Sequence, residues 1–428
     1  MMKKMAAFIS GLMMITGACT GCAEARTAQP LGASVNTVQQ TGQEPEKEYI
    51  SAQYGFGTEL FKRSAAMESG ENVLISPFSV YTAMAMAGNG AEGQSLEEFE
   101  TVLGNGMKVS DINEYTAGMI NRLNAINDGT LNILNSVWIR DIPSFRVNQD
   151  FVNDIGSWYG AEAFMAAFDH NTIEQANKWV SDGTNGMIKK LLEDDDIDED
   201  TRMMLINTLY FNCKWKESFE ESRPSAFTSA DGSETKPETL FGTENTYYEG
   251  KGYTGFAKPY NGGFSFVGLL PDEGTDIEDF IASLDAVELA NTLANPVKGK
   301  NRDVRVFTSV PVLKLENRVE LQGLLADMGF FNTMDSEKGG LSRIAAPDSA
   351  EKDFYISKVI HSAAIDLDAE GTEASASTAV IISRCEGVIE IDKYEDYYVY
   401  LDRPFVYMIV DDATGLPLFM GAVLDAAE

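Results

Sequence analysis

The most informative stretch of the chain is Gly371-Thr372-Glu373-Ala374-Ser375-Ala376-Ser377-Thr378-Ala379-Val380-Ile381-Ile382-Ser383-Arg384-Cys385. Every second residue is small or apolar and most of the residues between them are polar, a period of two that predicts a β-strand. The first half contains little besides Ala, Ser and Thr. Such side chains have little bulk to anchor a strand, and they hardly obstruct a strand that slides between two others. The pattern by itself is equally typical of a loosely packed edge strand.

Composition limits the kinds of function that this chain can have. Of its 428 residues, 44% are hydrophobic and 23% are charged, which is enough to bury a sizeable core. The formal net charge of −33 repels a phosphate backbone and an anionic membrane surface, so we expect no nucleic-acid partner. With only two histidines and four cysteines, the chain is also expected to hold no metal and no cofactor.

The N-terminus is typical of an exported protein. Two lysines precede an apolar run at residues 5–15 that is too short to cross a bilayer, which predicts a signal peptide over residues 1–25. Two processing interpretations compete: a lipobox-like sequence before Cys19 indicates lipidation of that residue, and Ala23-Glu24-Ala25 fits an ordinary signal-peptidase site. We therefore expect a secreted protein or a cell-surface lipoprotein that touches a membrane only through its lipid.

Residues 26–48 lack apolar periodicity and predict a flexible spacer, so the folded domain should span residues 49–428. Within it, helical patterns come early and strand patterns dominate late, which predicts an α+β domain. The helical patterns cover residues 58–66, 80–88, 96–103, 172–180 and 319–328. The strand patterns cover residues 131–139, 203–211, 264–270, 304–315, 354–368, 397–401, 405–410 and 418–423. Turn residues 411–415 predict a hairpin between the last two strands.

Ordered sequence blocks extend this interpretation to nearly the whole domain. They are Asn72-Val73-Leu74-Ile75-Ser76-Pro77-Phe78-Ser79, Gly90-Ala91-Glu92-Gly93, Asn177-Lys178-Trp179-Val180, Thr184-Asn185-Gly186, Asn207-Thr208-Leu209-Tyr210-Phe211 with Trp215, Ser357-Lys358-Val359-Ile360-His361, Arg403-Pro404-Phe405 and Leu418-Phe419-Met420-Gly421. In these blocks the sequence resembles the serpins, and the resemblance covers nearly all of residues 49–428.

The resemblance implies the serpin fold, an α+β fold of three β-sheets with about nine helices and an exposed reactive-centre loop. It also implies a mechanism in which a serine protease cleaves the loop and forms an acyl-enzyme. The freed loop then inserts as an extra strand into the main sheet and traps the protease in a covalent complex. In this comparison residues 371–378 are the loop hinge, and Ser76, Asn207, Trp215 and His361 belong to the region that receives the strand. Taken alone, His361 in its apolar run is interpreted as a hydrogen-bonded core residue.

The resemblance predicts where the protease cuts. In typical inhibitory members the scissile bond lies fourteen residues beyond the hinge glycine, which places it between Cys385 and Glu386. A Cys at that position suits the shallow primary pocket of an elastase-like protease. A register shorter by one residue places the bond between Arg384 and Cys385 and predicts a trypsin-like target. Both registers stay open, as does a role for Cys385 as an oxidisable thiol.

Three features depart from the family pattern. The segment between Cys385 and Pro404 is longer than usual and acidic, and it would steer basic proteases electrostatically. Ala369 stands where many members have a Glu, and Cys213 replaces a usual Gly beside Trp215.

The hinge carries neither a charge nor a Pro at Thr372, Ala374 or Ala376, so we expect an inhibitory serpin. The two histidines and the missing serine-hydrolase elbow argue against an enzyme, and we expect the inhibitor to be a monomer. The alternative is a non-inhibitory serpin, in a binding or substrate role, whose cleaved loop does not trap the protease.

Overall fold

The structure is a computed structural model that describes residues 27–32, 38–126, 128–300, 302–350, 354–372 and 393–427. Nine α-helices lie within these residues. They are α1 Lys47–Met67, α2 Pro77–Gly88, α3 Gly93–Val102, α4 Val109–Asn124, α5 Gln149–Tyr159, α6 His170–Gly183, α7 Ile277–Ser283, α8 Ala286–Ala294 and α9 Gln322–Asp327. None of these helices is long and apolar enough to cross a membrane.

The same residues contain nineteen β-strands. They are β1 Gln29–Pro30, β2 Val73–Ile75, β3 Thr130–Arg140, β4 Glu162–Ala166, β5 Met203–Lys214, β6 Glu221–Pro224, β7 Phe227–Thr228, β8 Glu234–Thr235, β9 Glu238–Glu244, β10 Thr246–Gly250, β11 Tyr253–Pro259, β12 Phe264–Pro271, β13 Asp303–Pro311, β14 Leu313–Glu320, β15 Lys358–Leu367, β16 Gly371–Thr372, β17 Tyr394–Tyr400, β18 Phe405–Asp411 and β19 Pro417–Val423.

Three large sheets organise these strands. Sheet A has the order β1-β4-β3-β5-β16-β15-β14, sheet B the order β10-β11-β12-β18-β19-β2, and sheet C the order β17-β13-β9-β6; β7 and β8 form a separate two-stranded ribbon. The predicted α+β fold with three sheets and about nine helices is thus confirmed in the described part of the chain. The predicted hairpin joins β18 to β19, and Gly415 lies there with φ of +73°, in the left-handed region that suits glycine.

The helix predicted over residues 319–328 is wrong in its first part. Residues 313–320 form β14, which pairs with β15 over eight residues, and α9 begins only at Gln322. The helical periodicity there is overridden by the hydrogen bonds and side-chain packing of a sheet edge, a tertiary effect that local pattern does not contain.

Helix α2 lies at the centre of the domain. All twelve of its residues are buried, and it packs between β5 of sheet A and β19 of sheet B. A helix that is apolar on every side has to be enclosed on every side. Its start is fixed by Pro77 at the first helical position and by Ser76, whose side chain accepts a hydrogen bond from the Ser79 N–H.

Part of the segment that was expected to be a spacer contacts the domain. Strand β1 pairs with β4, and the Leu31 N–H donates to the Ala163 carbonyl at 2.8 Å. Further along, the Gln43 N–H donates to the Glu114 carbonyl at 2.9 Å. Gly118 permits this approach, because a Cβ on it would lie 1.9 Å from the Gln43 carbonyl oxygen.

A buried ion pair joins sheet B to sheet C. Lys258 Nζ in β11 lies 2.7 Å from Glu244 Oε1 in β9, and the two side chains are 3% and 9% exposed. The ammonium group also lies 4.2 Å from the centre of the Phe219 ring and 5.5 Å from that of Trp215. Burial raises the pKa of Glu244, and Lys258 opposes that rise. The Glu244 carboxylate therefore depends on Lys258 to stay ionised inside the protein.

Replacing only one member of this pair should strongly destabilise the protein. Lys258→Met leaves the Glu244 carboxylate buried without a counter-charge, and we expect the free energy of unfolding to fall by about 3 kcal/mol in urea titrations. The double variant Lys258→Met/Glu244→Leu should recover most of that loss, since both desolvation penalties disappear together.

The matched control is Lys314→Met, which breaks an exposed pair with Asp366 in which the lysine side chain is 82% exposed. It should leave the urea midpoint almost unchanged. Equal effects of the two lysine substitutions would contradict the role given to burial.

Candidate functional site

The middle of sheet A contains an opening between two neighbouring strands. Strands β5 and β15 are parallel and pair from Met204 opposite Lys358 to Thr208 opposite Ser362. Above this point, no pairing between described residues joins 209–212 of β5 to 363–366 of β15. Among the described residues, the pairing partners of these two segments are their outer neighbours, β3 and β14. The described part of the sheet thus has an opening between β5 and β15 in this zone.

The short strand β16 occupies the top of this opening. Gly371 pairs with Lys214 and Thr372 with Cys213 on one side, and Thr372 pairs with Leu367 on the other, in both cases antiparallel. Gly371 has to be a glycine, because a Cβ on it would lie 2.3 Å from the Cys213 carbonyl oxygen. The predicted hinge thus begins inside the sheet.

Thr372 anchors this start of the hinge. Its side chain is 1% exposed, and its hydroxyl lies 2.7 Å from the hydroxyl of Tyr260. Cys213 and Leu367, its partners in the ladder, belong to the core beneath sheet A, so Thr372 faces that core too. This orientation sets the direction of every later side chain if the strand continues.

Trp215 holds the turn that feeds β16. Its backbone N–H donates to the Glu370 carbonyl at 3.0 Å, and its indole N–H donates to the Asp368 carbonyl at 2.9 Å. Its ring stacks on Tyr260 with ring centres 4.0 Å apart. The Asp368 carboxylate closes the turn by accepting from the Glu370 and Gly371 N–H groups. These contacts hold the loop base although Ala369 replaces the glutamate of the family pattern.

Ser76, Asn207 and His361 form a second cluster lower in the sheet. The Ser76 N–H donates to His361 Nε2 at 2.9 Å, and the Ser76 hydroxyl donates to the Leu418 carbonyl at 2.7 Å. His361 stands opposite Asn207 in the parallel ladder, and the Asn207 amide donates to Asn135 Oδ1. His361 is therefore a hydrogen-bonded core residue, as expected.

Three buried atoms where β5 and β15 meet have no hydrogen-bond partner in the described part of the chain: His361 Nδ1 and Asn207 Oδ1 of this cluster, and Thr208 Oγ1 on the opposite face of β5. All three belong to the strands that border the opening. A buried polar atom without a partner costs about 1–3 kcal/mol. The cluster is thus polar, tightly enclosed and incompletely bonded at the point where β5 and β15 meet.

The remaining predicted site residues are reported by position. The hinge residues Glu373, Ala374, Ser375, Ala376, Ser377 and Thr378, the bond candidates Arg384, Cys385 and Glu386, and the lipidation candidate Cys19 lie outside the described residues. Cys213 is buried, and burial raises the pKa of its thiol to about 12. A thiol in that state is a poor nucleophile, so Cys213 acts as a packing residue.

Sequence patterns missed three residues of the site. Tyr260, Asn135 and Lys258 contact Thr372, Asn207 and Trp215 respectively. Tyr260 and Asn135 carry no local signal, because their partners are distant in sequence. Lys258 carries one, since it interrupts an otherwise apolar strand in β11.

The titration of His361 should appear in the pH dependence of stability. Burial lowers the pKa of His361 from 6.5 to about 4. Between these values the unfolded chain binds a proton that the folded chain does not, so stability is complete above pH 6.5 and is lost as the pH falls towards 4. We expect a loss of up to about 3 kcal/mol in urea titrations from this residue alone.

The control is His361→Gln, which keeps an acceptor for the Ser76 N–H but does not titrate. Acidic groups elsewhere affect both proteins equally, so the difference between them isolates His361. Parallel pH profiles for the two proteins would contradict a neutral buried histidine.

Comparison with known proteins gives a consistent result. A family model described as "Serpin (serine protease inhibitor)" matches residues 51–426. An uncharacterised serpin-like protein of Methanosarcina acetivorans is 28% identical, with 97% of this chain and 96% of that protein covered. Human neuroserpin is 29% identical over 85% of this chain and 88% of its own length.

Two solved structures of the thermophilic serpin tengpin match over most of the chain. The native state aligns with a TM-score of 0.84 at 32% identity, covering 94% of this chain and all of tengpin. The latent state aligns with a TM-score of 0.74 at 30% identity, covering 90% of this chain and 99% of that one. The described conformation is thus closer to the native form of that relative. With the family model, the relatives and the fold in agreement, this chain belongs to the serpin family.

Proposed function

We propose that this protein inhibits serine proteases as a suicide substrate, by inserting its cleaved loop into sheet A. The observation that carries the proposal is β16, which already lies between β5 and β15 and runs antiparallel to both. Below it, no described strand lies between residues 209–212 and 363–366, and the pairs further down can separate to continue the gap.

The register of β16 fixes how such a strand would enter. Thr372 pairs with Cys213 of β5 and Leu367 of β15. Because the loop runs antiparallel to both strands, each later loop residue would pair with the preceding residue of β5 and of β15. Residue 377 would then meet Thr208 and Ser362, which are themselves a ladder pair. Residue 381 would meet Met204 and Lys358, the last pair of the ladder. Counting along β5 and counting along β15 assign the same loop residue to each of their ladder pairs. This agreement supports insertion along the full length of the opening.

The same register assigns side chains to faces. Residues 374, 376, 378, 380 and 382 would share the face of Thr372 and enter the core, which accounts for the small residues at the start and the apolar residues at the end. Thr378 would lie between Asn207 and His361. Its hydroxyl could partner atoms that are buried without a hydrogen bond, so insertion would relieve part of their cost.

The chemistry follows from the protease. Its serine Oγ attacks the carbonyl carbon of the residue before the scissile bond, an ester forms, and the amine of the next residue leaves with a proton. About fourteen inserted residues at roughly 3.3 Å each carry the esterified end on the order of 45 Å. The protease is thereby dragged across the sheet, and its deacylation machinery is distorted before water can hydrolyse the ester.

The target and the location are further parts of the proposal. A bond at Cys385–Glu386 predicts an elastase-like protease, and a bond at Arg384–Cys385 a trypsin-like one. The predicted signal peptide and the lipobox-like sequence before Cys19 support a location outside the cell, with the inhibitor either secreted or anchored by lipid.

Mixing residues 26–428 with an elastase-like and a trypsin-like protease tests the inhibitory function. We expect a complex that survives a denaturing gel, because the ester is covalent. The mass of the released C-terminal peptide identifies the bond: a fragment that starts at Glu386 assigns it to Cys385–Glu386, and one that starts at Cys385 assigns it to Arg384–Cys385. Cleavage without a complex, for every protease tried, would favour the non-inhibitory alternative.

The predicted register is tested by a matched pair of hinge variants. Ala374→Arg puts a charge on the core face, so insertion should slow until hydrolysis wins and most of the protein appears as cleaved product. Ser375→Arg puts the same positive charge on the opposite face, where Glu373 carries a negative charge. This variant should retain most of the complex. The ratio of complex to cleaved product on the gel measures both. A greater loss for Ser375→Arg would contradict the register.

A further inference from the structure

The outer face of sheet C carries an unusual concentration of exposed aromatic side chains. Six large hydrophobic residues are exposed in the described part of the chain, and three of them lie on β17: Tyr394 at 37%, Tyr398 at 62% and Tyr400 at 39%. The period of two in a strand puts all three on one face. We call the face that they share with Phe307, Phe241, Arg305 and Arg223 the tyrosine face.

The tyrosine face is continuous across three strands. Phe307 of β13 stands opposite Tyr398, and their rings stack with centres 5.2 Å apart. Ser309 stands between Tyr400 of β17 and Phe241 of β9 in the ladder. The aromatic residues therefore form one patch and are not isolated surface side chains.

Two arginines are part of this face and are already held in place. The Arg305 guanidinium makes two hydrogen bonds of 2.8 Å to Asp396 and lies 5.1 Å from the Phe307 ring centre and 4.7 Å from that of Tyr394. The Arg223 guanidinium lies 3.9 Å from the Phe241 ring centre. Tyrosine and arginine are the residues that contribute most to binding in protein interfaces. Because these side chains are ordered in advance, the tyrosine face would lose little conformational entropy when a partner binds.

The position of the face points to its partner. Tyr394 begins β17 and follows Glu386 by eight residues, which span at most roughly 28 Å when fully extended. A serine protease domain of ordinary size is roughly 45 Å across. A protease bound at the scissile bond therefore extends over this distance and can contact the tyrosine face while its active site holds the loop.

We propose that the tyrosine face is a secondary binding site for the target serine protease, which it contacts outside the protease active site. This inference rests on the proposed function, since it takes its partner from there. The face would raise the rate of encounter and lengthen the life of the initial complex, so that the protease attacks this loop in preference to other substrates. The specificity of the inhibitor would then come from the loop sequence and from this surface together.

The test compares the double variant Tyr398→Ala/Tyr400→Ala with wild type in full-length mature protein. The second-order rate constant for loss of protease activity should fall about tenfold or more, the size expected when central aromatic anchors are removed. The fraction of cleaved inhibitor that ends as complex should not change, because insertion of the loop into sheet A does not use this face. Phe331→Ala is the matched control, because Phe331 is 60% exposed and its neighbour Asn332 is hydrogen-bonded to Glu98 of α3 and not to sheet C. This variant should react at the wild-type rate.

Each further outcome has a defined meaning. Equal rates for the double variant and wild type would overturn the proposal, and so would an equal loss in Phe331→Ala. If wild type forms no covalent complex, the proposed function fails, but the rate of loop cleavage still tests the face in the same variants. If sedimentation shows that wild type dimerises and the tyrosine variants do not, the occupant is a second copy of this chain and the proposal is overturned.

Discussion

The parallel pairing of β5 with β15 is the interaction on which the rest of sheet A depends. It holds the sheet together over five residue pairs and ends at Thr208 and Ser362, above which no ladder between described residues joins the two strands. Parallel pairing is slightly less stable per residue than antiparallel pairing. A strand that enters from the top would replace it with two antiparallel ladders and bury a further apolar face. In the proposed function, the folded protein would therefore reach a better-bonded arrangement of the same sheet once these five pairs separate.

The top and the middle of the opening in sheet A differ in how completely their polar groups are hydrogen-bonded. At the top, Trp215, Tyr260 and Thr372 form a packed and fully bonded anchor, so the start of any added strand is determined in advance. In the middle, Asn207 and His361 are buried with atoms that lack partners. The anchor is rigid and the region around Asn207 and His361 is less stable. We therefore expect β5 and β15 to separate below the anchor and not beside it. If the proposed insertion takes place, the direction and register of the added strand would thus be set by the anchor at the top of the sheet.

The sequence supports prediction of those parts of the structure whose cause is local or is repeated in a known family. The place of the hinge glycine at the start of β16 and the hairpin at residues 411–415 follow from family pattern, backbone sterics and turn residues. The end of β14 was not predictable, because its pairing partner β15 lies about forty residues further along the chain. Tyr260 was missed for the same reason: a tyrosine has no local signal that its hydroxyl will meet Thr372. Lys258 was detectable as a charge within an apolar strand, but its partner Glu244 and its place under Trp215 exist only in three dimensions.

Strand β1 has a consequence for how sheet A can grow. A sheet that can accept a strand in its interior is also exposed to strands that add at its margins, which is how such proteins would join to one another. At the β4 margin, the outermost strand is only two residues long, and its second residue, Pro30, has no N–H to donate. This margin offers almost no template for a foreign strand. Addition of a strand from a neighbouring molecule is thus disfavoured at this margin, whereas the proposed insertion of the protein's own loop would use the centre of the sheet.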